Sequence, residues 1–558
     1  MFIRVKKSKG HEYLQIVHNE KVNGKVKQRV LGNLGRRDVL EKNEQLAGLA
    51  ASCSKFTEKL AVLNACRGGR QKPAEAIKFG PPLVFERLWK ELGIREVLEE
   101  RISERKFEFP VERAVFLCTL HRLFDPGSDR AAESWAKDYE IENTGELQLH
   151  HLYRAMSWLG EETGDDAGDT SLSPRTVKDG IEETLFRRRQ DLFSQLNMVF
   201  FDTTSIYFHG EGGEKLGRRG HSKDKRSDLK QMVVGAVIDQ DGRPVCCEML
   251  PGNSSDVKTF LPMIKRLQKR FSIRSVCVVG DRGMISKAIV KEIRENLPGI
   301  KYILGARLRK SKEVREEVLT RGGRYKEVHG PRTKSKDPSP LKVKEVWVGE
   351  RRYVIAINEE QRRKDEADRL AIVASLEEKL KSGQKGLVGN KGYRKYLKTC
   401  GKSRFEIDEK KLETESRYDG KWVLETDTDL ETAEVALRYK DLWMVEDLFR
   451  TVKSILRTRP IYHSSDEAIR GHVFCSFLAL MMLKELMDRI EKRGQKVEWK
   501  RLRRELDKLQ HVIIKSDKFD FKVRTDACGE ANTAIRATGV TPGPVITSID
   551  NQTLNSGG

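Results

Sequence analysis

Two apolar runs of strand length, each closed by an aspartate, constrain this chain more than any other feature. MVFF ends on Asp202 and VCVVG ends on Asp281. Between them lie the apolar runs KQMVVGAVID and RPVCCEML and the helical-period segment DVKTFLPMIKRLQKRF. The order strand, strand, strand, helix, strand predicts an α/β fold with a helix covering the sheet. A carboxylate beside such runs is costly to bury unless a cation or hydrogen bonds compensate it, so two strands that each deliver one aspartate point to a shared cation. Taken singly, each has a plainer reading. An Asp after a strand is commonly a turn or cap residue, and Asp281-Arg282-Gly283 also reads as a turn.

A third carboxylate, Glu446, sits in a helical-period segment running from Thr432 to about Arg459. At about 100° per residue, one face carries Tyr439, Leu442, Trp443, Glu446, Arg450 and Lys453. Beside it Val445, Phe449, Val452 and Leu456 form a narrow apolar stripe that can pack on a sheet. The plainer alternative is a solvated face with an i, i+4 pair between Glu446 and Arg450.

Charge indicates the class of partner. The chain has 106 Lys and Arg against 84 Asp and Glu, a formal net charge of +22, which favours a polyanion and above all nucleic acid. None of the nine cysteines has a Cys or His neighbour at zinc-site spacing, and their scatter fits a reducing compartment. The amino terminus, charged from Arg4 onward, has no apolar core of signal-peptide length. Val473 to Leu483 is too short to span a bilayer and reads as a buried helix, so no membrane role is expected.

Along the chain, residues 1 to about 35 alternate polar and apolar around Asn23-Gly24, which predicts a basic β-hairpin. Helical period follows from about 75 to 190. After Asp281 come a helix (SKAIVKEIREN), the run KYILGARL, and a charged stretch with strand-like pieces, EVWVGERRYVIAIN, RFEIDEKKLE and KWVLETD. Two helices are expected around Ala468 to Ile490 and Glu498 to Ile514, and the Gly/Pro/Ser/Thr-rich end reads as a disordered tail. The basic clusters IKRLQKR (264 to 270) and WKRLRRELDK (499 to 508) are candidate phosphate-tracking surfaces or simply solvated faces. His463 and His472 read as structural, because neither has a ligand partner at metal spacing in the sequence.

The strings VFFDTTSIYF, VVGDRGMIS and YKDLWMVEDLFRTVKS resemble the three acidic motifs of DDE transposases of bacterial insertion sequences, in the family-four superfamily. The third motif of that family is tyrosine, two residues, arginine, three residues, glutamate, six residues, lysine. Here Tyr439, Glu446 and Lys453 match, and Leu442 stands in place of the arginine, with Arg438 and Arg450 as neighbouring basic residues. The resemblance covers about 197 to 480, including GNSSD (Gly252 to Asp256) and RPIYHSSDEAIRGHVF (Arg459 to Phe474).

The resemblance implies a ribonuclease H-like mixed-sheet core, with the first Asp on strand one, the second after strand four and the Glu on a later helix. It also implies a β-rich insertion in the long interval between Asp281 and Glu446. The expected organisation is a basic β-hairpin element (1–40), a helical DNA-binding region (41–192), the first part of the core (193–305), the insertion (306–428), the third-carboxylate helix (429–480), a helical C-terminal region (481–540) and the tail (541–558). Asp202, Asp281 and Glu446 would hold two Mg²⁺ ions, with Mn²⁺ as a substitute, and would be the catalytic residues. Tyr439, Arg450 and Lys453 would contact DNA. The expected partners are double-stranded DNA, both the terminal repeats of the element and the target, and a second copy of the chain on that DNA. The expected location is the bacterial cytoplasm, at the nucleoid. The alternatives are a metal-dependent nuclease without strand transfer and a non-catalytic DNA-binding descendant of a transposase. A tyrosine recombinase is disfavoured, because no Arg/His cluster around a nucleophilic tyrosine can be assembled.

Overall fold

The computed structural model describes residues 2–8, 10–22, 25–42, 45, 75–164, 173–189, 197–273, 275–284, 286–334, 336–382, 395–400, 404–514 and 520–549. They fall into two compact units, one of residues 1–80, 499–532 and 541–558, the other of 81–498 and 533–540. Among the described residues no helix is long and apolar enough to cross a membrane.

The larger unit is built on one nine-stranded mixed sheet. Its strands in chain order are β1 (Met198–Tyr207), β2 (Gln231–Asp239), β3 (Pro244–Pro251), β4 (Val276–Gly280), β5 (Ile300–Gly305), β6 (Lys326–His329), β7 (Leu341–Val348), β8 (Arg351–Ile357) and β9 (Lys421–Thr426). Their order across the sheet is β6-β7-β8-β9-β5-β4-β1-β2-β3. β1, β4 and β5 run parallel, while β2, β3 and the β6 to β9 extension pair antiparallel. β2 and β4 are buried almost throughout, as strands covered on both faces must be, whereas β7 alternates between buried and open positions. The near-continuous apolar runs that announced these strands are the signature of that double coverage.

Seven helices matter for the site: α1 (Val111–Phe124), α2 (Leu149–Leu159), α3 (Val177–Arg189), α4 (Asp256–Phe271), α5 (Thr432–Lys440), α6 (Trp443–Ser454) and α7 (Asp466–Lys492). Phe260, Met263, Ile264 and Leu267 of α4 join Val199, Phe201, Val237 and Val278 of the strands in one core, with Ile289, Val290 and Ile293 of the helix Lys287–Asn296. At about 1.5–3 kcal/mol for each fully buried large apolar side chain, this core anchors the sheet. α6 lies against β1 and β2, and α7 packs on α1, α2, α6 and β3. As the sequence predicted, Val473 to Leu483 is a buried stretch of helix.

Several expectations need correction. The stretch 306–428, expected as a β-rich insertion, adds to the main sheet. Four of its strands, β6 to β9, extend the main sheet, and it also holds a 24-residue helix, Glu359–Ser382. The physical reason is pairing: β5 presents an open edge, and β9 closes it antiparallel through Leu424 opposite Gly305. Of the region expected as helical over 41–192, the part from residue 81 onward shares a compact unit with the sheet, and the part up to residue 80 belongs to the smaller unit. The helix expected from Thr432 to Arg459 is interrupted at Asp441 and Leu442, giving α5 and α6.

In the smaller unit, Phe2–Ser8, His11–Val22 and Lys25–Arg36 form a three-stranded antiparallel sheet rather than a lone hairpin. Asn23 and Gly24 lie outside the described residues, between the paired Val22 and Lys25. The segment expected as helix from Glu498 to Ile514 is a helix only over Trp499–Asp507. Gln510–Ile514 is a strand, in a four-stranded sheet with Glu75–Lys78, Asp520–Arg524 and Ile546–Ile549. The last of these falls in the stretch read as a tail. Its alternating Ile546 and Thr547 pair with Val523 and Lys522, and residues 550–558 lie outside the described residues.

Candidate active site

Register brings the two aspartates together. Phe201 of β1 lies opposite Gly280 of the parallel strand β4, so Asp202 and Asp281 follow at the next position on neighbouring strands, which are about 4.8 Å apart. Asp202 is still within β1 and pairs with Ala236 of β2, whereas Asp281 begins the turn after β4, with Met284 N–H donating to its carbonyl at 3.0 Å. The Arg307 guanidinium braces that turn by donating to the carbonyls of Arg282 (3.0 Å) and Gly283 (2.8 Å).

A fourth carboxylate, not singled out as a site residue from sequence, stands beside them. Asp256 is the first residue of α4, and a Cβ placed on Gly283 would lie 3.8 Å from Asp256 Oδ2 and 3.9 Å from Asp281 Oδ2. Thr203 links it to β1, its hydroxyl donating to Asp256 Oδ1 at 2.5 Å, while Thr203 N–H donates to Asp202 Oδ1 at 2.7 Å. The Lys223 ammonium, from the loop between β1 and β2, lies 3.8 Å from Asp202 Oδ1 and 3.5 Å from Asp256 Oδ2, and donates to the Thr203 carbonyl (2.6 Å) and hydroxyl (2.9 Å).

Electrostatics at this point favour an added cation. Burial pushes the Asp202 carboxyl up to about 6, and the facing Asp281 and Asp256 add to the rise against the pull of Lys223 and the Thr203 N–H. With one ammonium among these aspartates, the negative charge is incompletely balanced. A hard divalent cation with oxygen ligands fits that donor set.

Glu446 enters from the first turn of α6, which packs on β1. It is exposed and has no hydrogen bond or ion pair among the described residues. The expected alternative, a pair with Arg450, does not form, because Arg450 bonds Asp447 at 2.9 Å. Tyr439 of α5 donates its hydroxyl to Asp281 Oδ1 at 3.2 Å, and burial together with Asp281 pushes its phenol well above the ordinary value, with Glu446 a further contributor. Gly305 makes this possible, since a Cβ there would come 2.3 Å from the Tyr439 hydroxyl oxygen. Tyr439 therefore positions an acidic residue instead of standing open to a ligand.

Lys453 is also engaged within the chain. Its ammonium bonds Asp224 Oδ1 at 2.8 Å, and Arg459 pairs with the other oxygen of Asp224. Asp224, beside Lys223, thereby ties the β1–β2 loop to α6. Of the residues expected at DNA, only Arg450 is freely exposed, its side chain 70% accessible. Leu442, at the family's arginine position, is buried. Arg438 pairs with Glu434 and Asp441.

The reading of His463 and His472 as lacking ligand partners is corrected by a residue remote in sequence. Asp129, His463 and His472 bring ligand atoms within 4.8 Å of one another, the only such group of three among the described residues; the Asp202, Asp281 and Glu446 set is more open. A cation is already present there, because Arg122 donates to His472 Nδ1 at 2.8 Å and lies 3.4 Å from Asp129 Oδ1. The other nitrogen of His472 faces the Thr458 carbonyl at 3.3 Å, which leaves it no free lone pair and makes it structural. The cluster 264 to 270 is corrected in part: Lys265 and Lys269 are exposed, but its arginines are not. Arg266 and Arg270 are buried among Asp179, Glu182 and Glu248, out of reach of a phosphate backbone.

The model of the transposase DDE domain matches residues 194–482, and that of the N-terminal domain of IS1634 family transposases matches residues 3–65. No curated protein matches the chain. Among solved structures, the piggyBac transposase synaptic complex with hairpin DNA aligns over 77% of this chain and 79% of that one, at 11% identity and a TM-score of 0.37, too low to define a shared fold. The DDE-domain match spans more than half of the chain and contains Asp202, Asp256, Asp281 and Glu446, and the chain belongs to the DDE transposases of insertion sequences.

Proposed function

We propose that this transposase binds the ends of its insertion sequence, cleaves the DNA at the 3′ ends and joins those ends to target DNA, with Asp202, Asp281 and Glu446 as the catalytic carboxylates. The observation that carries the reading is the register of Asp202 and Asp281 on adjacent parallel strands, with the Glu446 helix packed on the same strand as Asp202. We read β3-β2-β1-β4-β5 as a ribonuclease H-like core. The first three strands are antiparallel, and the fourth and fifth are added parallel on the other side of β1.

Two Mg²⁺ ions, or Mn²⁺ in their place, would supply activation of the attacking oxygen and stabilisation of the leaving 3′-oxygen in an in-line displacement. Asp202 and Asp281, from adjacent strands, and Glu446, from the helix packed on the Asp202 strand, would hold them. The hydrogen bond from Tyr439 orients Asp281 so that its second oxygen faces the site. Arg450 and, once freed from Asp224, Lys453 would take DNA phosphates, which fixes the strand without reading its sequence. The same carboxylates serve hydrolysis and strand joining, because both are phosphoryl transfers at a DNA 3′ end. Recognition of the element ends falls to the basic N-terminal sheet and the helices before residue 192. Concerted cutting of two ends calls for a pair of protomers on DNA.

The test is cleavage and joining of labelled duplex carrying the sequences that flank the gene, in Mg²⁺ and in Mn²⁺. Wild type should nick at the element end and join it to a second duplex, and Asp281→Asn should bind the same DNA and do neither. Equal cutting by both proteins would remove the carboxylates from the mechanism. Cutting without joining would leave a nuclease.

A further inference from the structure

We propose that Asp256 is a fourth cation-holding carboxylate of this site, and that the Lys223 ammonium occupies the place opposite Asp202 and Asp256 until a divalent cation displaces it. The inference rests on the reading of the site given above and adds to it one carboxylate and one internal counter-ion.

Three independent contacts carry it. Asp256 Oδ2 and Asp281 Oδ2 each lie within 4 Å of the point where a Cβ on Gly283 would sit, so any side chain there would meet two carboxylate oxygens. Thr203, next to Asp202 in the chain, fixes the other oxygen of Asp256 with its hydroxyl. That leaves Oδ2, the oxygen nearer Asp281, as the one facing Lys223. Finally, the ammonium contacts Asp202 and Asp256 at 3.8 and 3.5 Å, longer than direct hydrogen bonds, while its short bonds go to the Thr203 carbonyl and hydroxyl. A lysine on a loop can withdraw at little cost in packing, since its side chain is 36% exposed. The loop does not have to unfold, because the neighbouring Asp224 is anchored to Arg459 and, in the absence of DNA, also to Lys453.

The competing role for Asp256 is structural, as an acid in the first turn of α4, where it complements the helix dipole. The two roles separate in a direct binding measurement. With full-length protein, free Mn²⁺ is titrated by its electron paramagnetic resonance signal, and melting is followed with EDTA or Mn²⁺. Asp256→Asn should weaken Mn²⁺ binding by on the order of tenfold or more and lose most of the Mn²⁺-induced rise in Tm, with its Tm in EDTA close to wild type. Lys223→Ala should tighten Mn²⁺ binding, and should do so less in the Asp256→Asn background, because the two residues act on one position.

Wild-type Mn²⁺ affinity in Asp256→Asn, with binding lost in Asp281→Asn, would overturn this proposal and leave the three-carboxylate reading standing. Wild-type affinity in both variants would instead overturn the three-carboxylate reading. If Asp256→Asn fails to fold, Lys223→Ala decides the matter alone: unchanged or weakened Mn²⁺ binding there refutes the displaced ammonium.

Discussion

The larger unit contains two groups of buried or half-buried carboxylates, and they are treated in opposite ways. Where α3 and α4 meet β3, Asp179, Glu182 and Glu248 are matched by Lys178, Arg266 and Arg270. Lys178 bonds Asp179 at 2.6 Å, Arg270 bonds Glu182 at 2.6 Å and Glu248 at 2.7 Å, and Arg266 spans Glu248 (2.9 Å) and Asp179 (3.1 Å). Burial alone would raise Asp179, but Lys178, Arg270 and Arg266 outweigh it and hold the carboxyl well below the usual range; Glu248 is lowered as well, and only at Glu182 does burial prevail and raise the carboxyl. At the end of the sheet that carries Asp202 and Asp281, Lys223 faces Asp202 and Asp256 alone, and Asp202 is pushed up instead. One group is complete within the fold and serves to join the helices to the sheet. The other is left short of positive charge, which is the condition for binding a cation and, through it, a phosphodiester.

The largest expected effects would break this contrast directly. Asp281→Asn should lower the cleavage rate by on the order of a thousandfold and leave stability in EDTA unchanged or slightly raised. Glu248→Gln should do the reverse, costing about 3–5 kcal/mol of stability by leaving buried arginines without their counter-charge, as read from urea unfolding. If Glu248→Gln proves neutral, the α3–α4–β3 network is not a joint. Next in size, Tyr439→Phe should reduce cleavage by about ten- to a hundredfold, the range for a residue that orients a metal ligand. Gly305→Ala should mimic it by displacing the hydroxyl, and rates and Mn²⁺ affinity would report both.

A smaller, signed effect concerns pH. Asp202 titrates near 6 in the folded chain and near 3.9 unfolded, so its protonation stabilises the fold fully below about 4, and that contribution is lost as pH rises through about 6. In EDTA, Asp202→Asn should therefore gain stability over wild type across this window, and Mg²⁺ above pH 6 should cancel the gain. For Asp179 the sign is opposite: its contribution is present above the ordinary carboxylate range and is lost only on strong acidification. Melting curves of wild type, Asp202→Asn and Asp179→Asn against pH would show whether the two groups differ as described. The smallest effect is expected of Arg450→Ala, within about 0.5 kcal/mol in stability and lowering the salt dependence of DNA binding by about one phosphate contact.

Much of the site was legible because its signals are local. An apolar run closed by an aspartate marks a strand, which continues past Asp202 and stops before Asp281, and helical period marks the element bearing Glu446, so these three candidates could be named from the chain. The apolar stripe of Val445, Phe449 and Val452 is indeed buried, while Glu446 is exposed beside it. What escaped depends on pairing at a distance. Arg266 and Arg270 look like a basic surface in sequence and become internal only because Glu248 and Asp179 come to meet them. Likewise, Lys453 looks free until the β1–β2 loop brings Asp224 to it. Asp129 joins two histidines from an early helix, a meeting that no spacing rule within one segment could reveal.

The sequence by itself determined the alternation of strands and helices, the placement of one aspartate on each of two apolar strand segments, and an excess of positive charge suited to DNA, because these follow from periodicity and composition. Only the tertiary structure decided which charges are spent and which are left over. That choice depends on the register of β1 against β4, on the missing side chains at Gly283 and Gly305, and on which cation each carboxylate meets. Coulomb energy and desolvation are set by distances of a few ångströms between residues far apart in the chain, and no local pattern encodes those distances.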